Sequence, residues 1–155
     1  MRSPIAVAVA SAALLAGCQA TPPFDPEDPA VVAALESHLQ TAMEGAARVD
    51  AAEVLGIADD DMTFATGDVL LSGLDTIRAQ FEDTYSGLAS QQQTLLEKRV
   101  RILSPDVALV LATGEGTYTD KAGWTSEPVG LAVTIVFVRE NGAWRAVHAH
   151  QSIAD

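Results

Sequence analysis

The hydrophobic period of this chain changes once, and that change constrains the fold more than any other feature. Val31, Val32, Leu35, Leu39 and Met43 recur at helical spacing behind Asp28-Pro29, an N-cap acid followed by proline at the first helical position. This predicts a first helix to about Gly45. A second helix is expected over Asp50–Ile57 and a third over Leu74–Tyr85, with Ile77 and Phe81 inward. Between them, Gly67-Asp68 reads as a turn joining two short strands, Met62–Thr66 and Val69–Leu71. From Gln93 onward the period is two: Leu96, Lys98, Val100 and Ile102 alternate with Glu97, Arg99 and Arg101. Long strands follow over Val107–Thr119, Glu127–Arg139 and Ala143–Ile153, separated by turns at Ser104–Asp106, Asp120–Gly123 and Glu140–Gly142. Helices followed by an antiparallel meander mean an α+β domain, with helices laid on one face of a bent sheet.

One such domain accounts for most of the 155 residues. Acidic residues outnumber basic ones 21 to 9, giving a net charge of −12, and only Lys98, Arg99 and Arg101 cluster. A surface that tracks phosphates needs more basic charge than this, so nucleic acid is not an expected partner. The same acidity opposes adhesion to anionic lipid through charge. Membrane contact is instead expected from the start of the chain. Arg2, an apolar run from Ile5 to Leu15 and small residues after it follow the plan of a secretory signal peptide. Leu15-Ala16-Gly17-Cys18 resembles the lipobox of bacterial lipoproteins, in which the cysteine is acylated and becomes the first residue. Cys18 is the only cysteine, so no disulfide framework competes for it. The expected organisation is a signal peptide over 1–17, a proline-rich acidic tether over 18–28 and a folded domain over 29–155. Gln19 after the cysteine favours the outer membrane, facing the periplasm, by resemblance to the enterobacterial sorting pattern.

Within the domain, "ADDDMTFATGDVLLSGLDTIRAQF" and the closing "FVRENGAWRAVHAHQS" carry a further likeness. The acid pair Asp60-Asp61 precedes a short strand, Gly73-x-x-x-Ile77 leads into the third helix, and Trp144-x-x-x-His148-x-His150-x-Ser152 ends the sheet. With the order of elements, these resemble the SnoaL-like branch of the nuclear transport factor 2-like superfamily. The closing strand also resembles that of the association domain of calcium/calmodulin-dependent protein kinase II. The resemblance implies a cone: a curled antiparallel sheet wrapped around N-terminal helices, with a pocket at the open end and dimers formed through the sheet. It does not decide activity, because the superfamily holds isomerases, dehydratases, hydrolases and non-catalytic members. The position that resembles the ketosteroid isomerase base carries Thr66, which is no base near neutral pH. The first helix lacks the tyrosine donor of those enzymes, although His38 projects from it. Later strands offer only Glu115, Tyr118 and Glu127 near their ends.

The remaining polar candidates are few. Asp59, Asp60 and Asp61 are expected on a solvated turn, since consecutive acids diverge while a hard metal needs converging oxygens. His148 and His150 share a strand face about 6.6 Å apart. That spacing suits a shared zinc ion only with a third ligand, and no clear one is present, so no metal or other cofactor is expected. Strict alternation puts Trp144, Ala146, His148, His150 and Ser152 on one face, and Arg145, Val147, Ala149, Gln151 and Ile153 on the other. The association-domain likeness implies that Gln151 points into the pocket with Val147 and Ala149 lining it. The histidines then belong to packing and the dimer face rather than to catalysis. Gly114 and Gly116 let the sheet curl, and Tyr118 and Trp124 are candidates for the pocket rim. The expectation is a lipid-anchored homodimeric envelope protein that binds a small apolar molecule or a partner without chemistry of its own. The alternative is a cofactor-free isomerase, dehydratase or hydrolase with His38, His148 or His150 as proton carrier.

Overall fold

The computed structural model describes residues 24–154. Helix α1 spans Pro29–Ala47, and the Asp28 carboxylate caps it by accepting from the Ala30 N–H. Its inward stripe carries Leu35 and Leu39. A short α2, Ala51–Val54, is capped in the same way by Asp50, which accepts from Glu53 N–H at 3.0 Å. Strands β1 (Ala58–Thr66) and β2 (Val69–Ser72) form a hairpin, and α3 (Leu74–Ser86) follows. Four long strands complete the chain: β3 (Leu88–Ser104), β4 (Val107–Asp120), β5 (Val129–Glu140) and β6 (Ala143–Ile153). The β5–β6 turn has positive φ at both Asn141 and Gly142, as a two-residue hairpin turn of matching twist requires.

The six strands form one curled, open sheet in the order β2-β1-β6-β5-β4-β3. All neighbours are antiparallel except β1 and β6, which run parallel. The purely antiparallel meander expected from the sequence is therefore a mixed sheet, because the early hairpin pairs with the last strand. The helices occupy the concave face. Leu35 of α1, Ile77 of α3, Val110 of β4 and Phe137 of β5 meet there with essentially no exposure. Lys98 points to the same side and pairs with Glu36 of α1 at 2.9 Å.

Three further details differ from the sequence reading. Asp59–Asp61 lie within β1 rather than on a turn; β1 slips its register with β6 between Ala58 and Thr63, which leaves Asp60 and Asp61 exposed. Asp59 bends this stretch locally by accepting from the Asp61 N–H at 3.0 Å. In β3, the ladder skips Leu96: Leu95 packs on the core while Leu96 is 67% exposed, so Leu96 does not share a face with Val100 and Ile102. In β6, Val136 pairs with His148 and Phe137 with Ala146, so Val147 is skipped. That bulge puts Trp144 and Ala146 on the same concave side as Ala149, and Trp144 is only 8% exposed. Trp144 is thus a core residue, not part of the face that bears the histidines.

Candidate functional site

The concave face encloses a cavity of about 410 Å³ between the helices and the sheet. Its deep end is built from elements already fixed by packing. Leu39 and Met43 arrive from α1, Leu55 from the end of α2, Met62 and Phe64 from β1, and Ile135 from β5. An aromatic wall closes one side. Phe64 and Phe81 sit 5.3 Å apart, and Phe81 meets the edge of Tyr85 at 5.8 Å. Phe81 and Tyr85 follow Ile77 at four-residue steps, so one face of α3 supplies all three.

Polar groups gather toward the open end. Cross-strand register places Gln151 beside Thr66 and Val133, and sets Thr66 opposite Val69. Val69 and Ile153 line the cavity yet are 44% and 56% exposed, which identifies the mouth. At the opposite edge of the sheet, on β3, Gln91 and Gln93 also line the cavity. Gln93 sits opposite Gly116, whose missing side chain leaves room over the sheet; an added Cβ there meets the side chains of Leu131 and Gln93 at 3.4 and 3.7 Å. Among the described residues the lining includes no aspartate, glutamate, histidine, lysine or arginine. Tyr85 is its one ionisable group, and burial pushes the phenol up to about 12. It stays protonated at neutral pH, a hydrogen-bond donor and acceptor rather than a base.

Of the residues singled out in the sequence, Gln151, Ala149 and Thr66 line this cavity. Val147, at the bulge, is not among the lining residues. Tyr118 lies opposite Gln91 in the ladder and packs edge-on against Trp124 at 5.8 Å, next to the lining but outside it. None of the three histidines reaches the cavity. His38 stacks on Phe137 at 6.0 Å. The Nδ1 of His148 lies 2.7 Å from the Thr63 hydroxyl on the convex side, and His150 follows on that side, opposite Thr134 and Ala65. The structure therefore separates the histidines from Gln151 rather than bringing them together. Cys18 lies outside the described residues. Gln91, Gln93 and Tyr85 were missed in the sequence. Their signals were present: Gln91 and Gln93 keep the inward period of Leu95, and Tyr85 extends the Ile77–Phe81 spacing.

A curled open sheet folded around helices and a mouth-up cavity defines the cone of nuclear transport factor 2-like proteins. Within that class, the chain belongs to the family described as the calcium/calmodulin dependent protein kinase II association domain, which matches residues 29–155. No curated protein matches it. Among solved structures, a nuclear transport factor 2-like superfamily protein from Salmonella enterica serovar Typhimurium aligns with a TM-score of 0.73 at 14% identity, over 82% of this chain and 93% of that one. A Xanthomonas campestris protein assigned to the kinase II association domain gives 0.64 at 22% identity, over 83% and 88%. A hexachlorocyclohexane dehydrochlorinase from Novosphingobium barchaimii gives 0.71 at 12% identity, over 81% and 87%. These likenesses share the fold.

Proposed function

We propose that this protein is a lipid-anchored envelope component whose domain binds a small, largely apolar molecule and performs no acid–base chemistry on it. One observation carries the reading: a ligand-sized cavity whose lining offers no carboxylate and no imidazole. A general base must reach the proton it abstracts, and the histidines face elsewhere. Neighbours that share the fold include a named dehydrochlorinase, so the cone itself permits catalysis; the side chains of this cavity favour binding. Mass spectrometry of the protein purified under native conditions should recover a small apolar molecule that departs on denaturation. Turnover of any candidate substrate that His38→Gln or His148→Gln abolishes, with folding intact, overturns the reading.

The anchor is part of the proposal and rests on the lipobox-like Leu15–Cys18 segment. Among the described residues no helix is long and apolar enough to cross a membrane. Acyl chains on Cys18 would supply about 0.8 kcal/mol per buried methylene, and a proline-rich tether would lift the domain from the bilayer toward the periplasm. Cys18→Ser should shift the protein from the membrane to the soluble fraction or leave it unprocessed. Unchanged fractionation and mobility would remove the anchor.

A further inference from the structure

The cavity is apolar at depth and neutral-polar at its mouth, and that gradient specifies more about a ligand than its size. Gln91 and Gln93 on β3 and Gln151 on β6 are half-buried and line the cavity, and the strand register puts Gln93 at the same end of the sheet as Ile153. Among the described residues, the glutamine side chains that hydrogen-bond within the protein are Gln40 and Gln80, not these three. Each carboxamide offers two donors and an acceptor. The polar atoms of these three keep access to solvent, so a ligand that displaces that water has to supply hydrogen bonds in its place. Beneath them Leu39, Leu55, Met62 and Phe64 are buried and apolar. The register fixes the order of depth along β6: Ala149 is buried, Gln151 half-buried and Ile153 exposed.

Resting on the binding role proposed above, we infer that the ligand is an uncharged amphiphile that enters apolar end first and leaves a neutral head group, such as an amide or alcohol, among Gln91, Gln93 and Gln151. Charge is what the site rejects. An ammonium or carboxylate drawn into this mouth would lose hydration without meeting an opposite charge, because the lining includes none. A carboxylate would also enter against the chain's net charge of −12. A neutral head needs no counter-ion, and carboxamides can both donate to it and accept from it. Tyr85, held neutral by burial, adds one further hydroxyl to the cavity lining.

Competition against N-phenyl-1-naphthylamine, an uncharged fluorophore that brightens in apolar sites, tests this with the purified protein near neutral pH. Octanamide and octan-1-ol should displace the fluorophore at concentrations roughly tenfold or more below those of octanoate and octylammonium, which share their chain length. Gln93→Leu and Gln151→Leu, close in volume to the native residues, should keep fluorophore uptake while weakening octanamide about fivefold or more. Retained uptake shows that the variants fold. If either ion displaces as well as the neutral compounds, or if both variants bind octanamide like the native protein, the inference is wrong. If the fluorophore does not enter the native protein at all, the binding role itself fails.

Discussion

Burial lowers the His38 imidazole below its ordinary value of 6.5, and the positive Arg145 guanidinium adds to the shift. The ring lies flat against Phe137, which has no exposure, so protonating it places a charge on an apolar surface. The sign follows from proton counting. Between the lowered folded value and 6.5, the unfolded chain binds more protons than the native one, so unfolding is favoured as pH falls. Stability from this residue is complete above 6.5, declines below it, and levels off once the folded value is passed. Thermal midpoints measured against pH should therefore fall less steeply below 6.5 in His38→Gln than in the native protein. Parallel curves would show that His38 titrates as it does in an unfolded chain. His148 serves a different end. Its 2.7 Å contact with Thr63 ties β6 to β1 side chain to side chain across the parallel pair.

The elements were legible in the sequence because each has a repeating period, and interruptions of the period were not. Helices α1 and α3, the early hairpin and the long strands stand in the expected order, but β1 begins at Ala58 rather than Met62, β3 at Leu88 rather than Gln93, and α2 shrinks to Ala51–Val54. The two bulges break the count. Leu96 and Val147 are apolar residues in apolar-polar runs, so nothing in their type marks them as extra, and each displaced a face assignment by one residue. Trp144 was placed with the histidines for that reason alone. The cavity glutamines were hidden differently: a carboxamide on a strand resembles any solvated residue until the sheet curls over it. Gly114 is where the β3 bulge left a readable mark. It pairs with Leu95, immediately before the skipped Leu96, and a Cβ on Gly114 would press into the Thr94 carbonyl oxygen. That neighbour is backbone and cannot swing away. Gly114→Ala should cost about 1–3 kcal/mol in denaturant unfolding, whereas Gly116→Ala, whose nearest contacts are at 3.4 Å, should cost less. Equal effects would mean that the two glycines serve curvature alone rather than close strand approach.

At the scale of the whole molecule, the helices cover only one face of the sheet. Opposite them, Leu109 and Leu111 of β4 stand beside Val136 and Thr134 of β5, and these in turn beside His148 and His150 of β6. Arg101 and Arg99 border the row on the β3 side. An apolar strip across the middle strands with polar margins is the pattern of an interaction surface, and a twofold pairing of this face with its copy would cover it. The dimer expected from the sequence loses Trp144 from this face, and its apolar contact would fall to Val136 and Leu109 instead. Light scattering at tens of micromolar should report a dimer, and Val136→Lys should give a monomer with unchanged secondary structure. Salt separates this interface from one held by ion pairs. Each protomer carries −12, so two copies repel at low ionic strength, and screening should tighten a dimer whose attraction is apolar. A dimer that loosens as salt rises would place the contact on charged margins instead. A native protein that stays monomeric at every salt concentration would leave the convex strip for a different partner and take the interface role from His148 and His150.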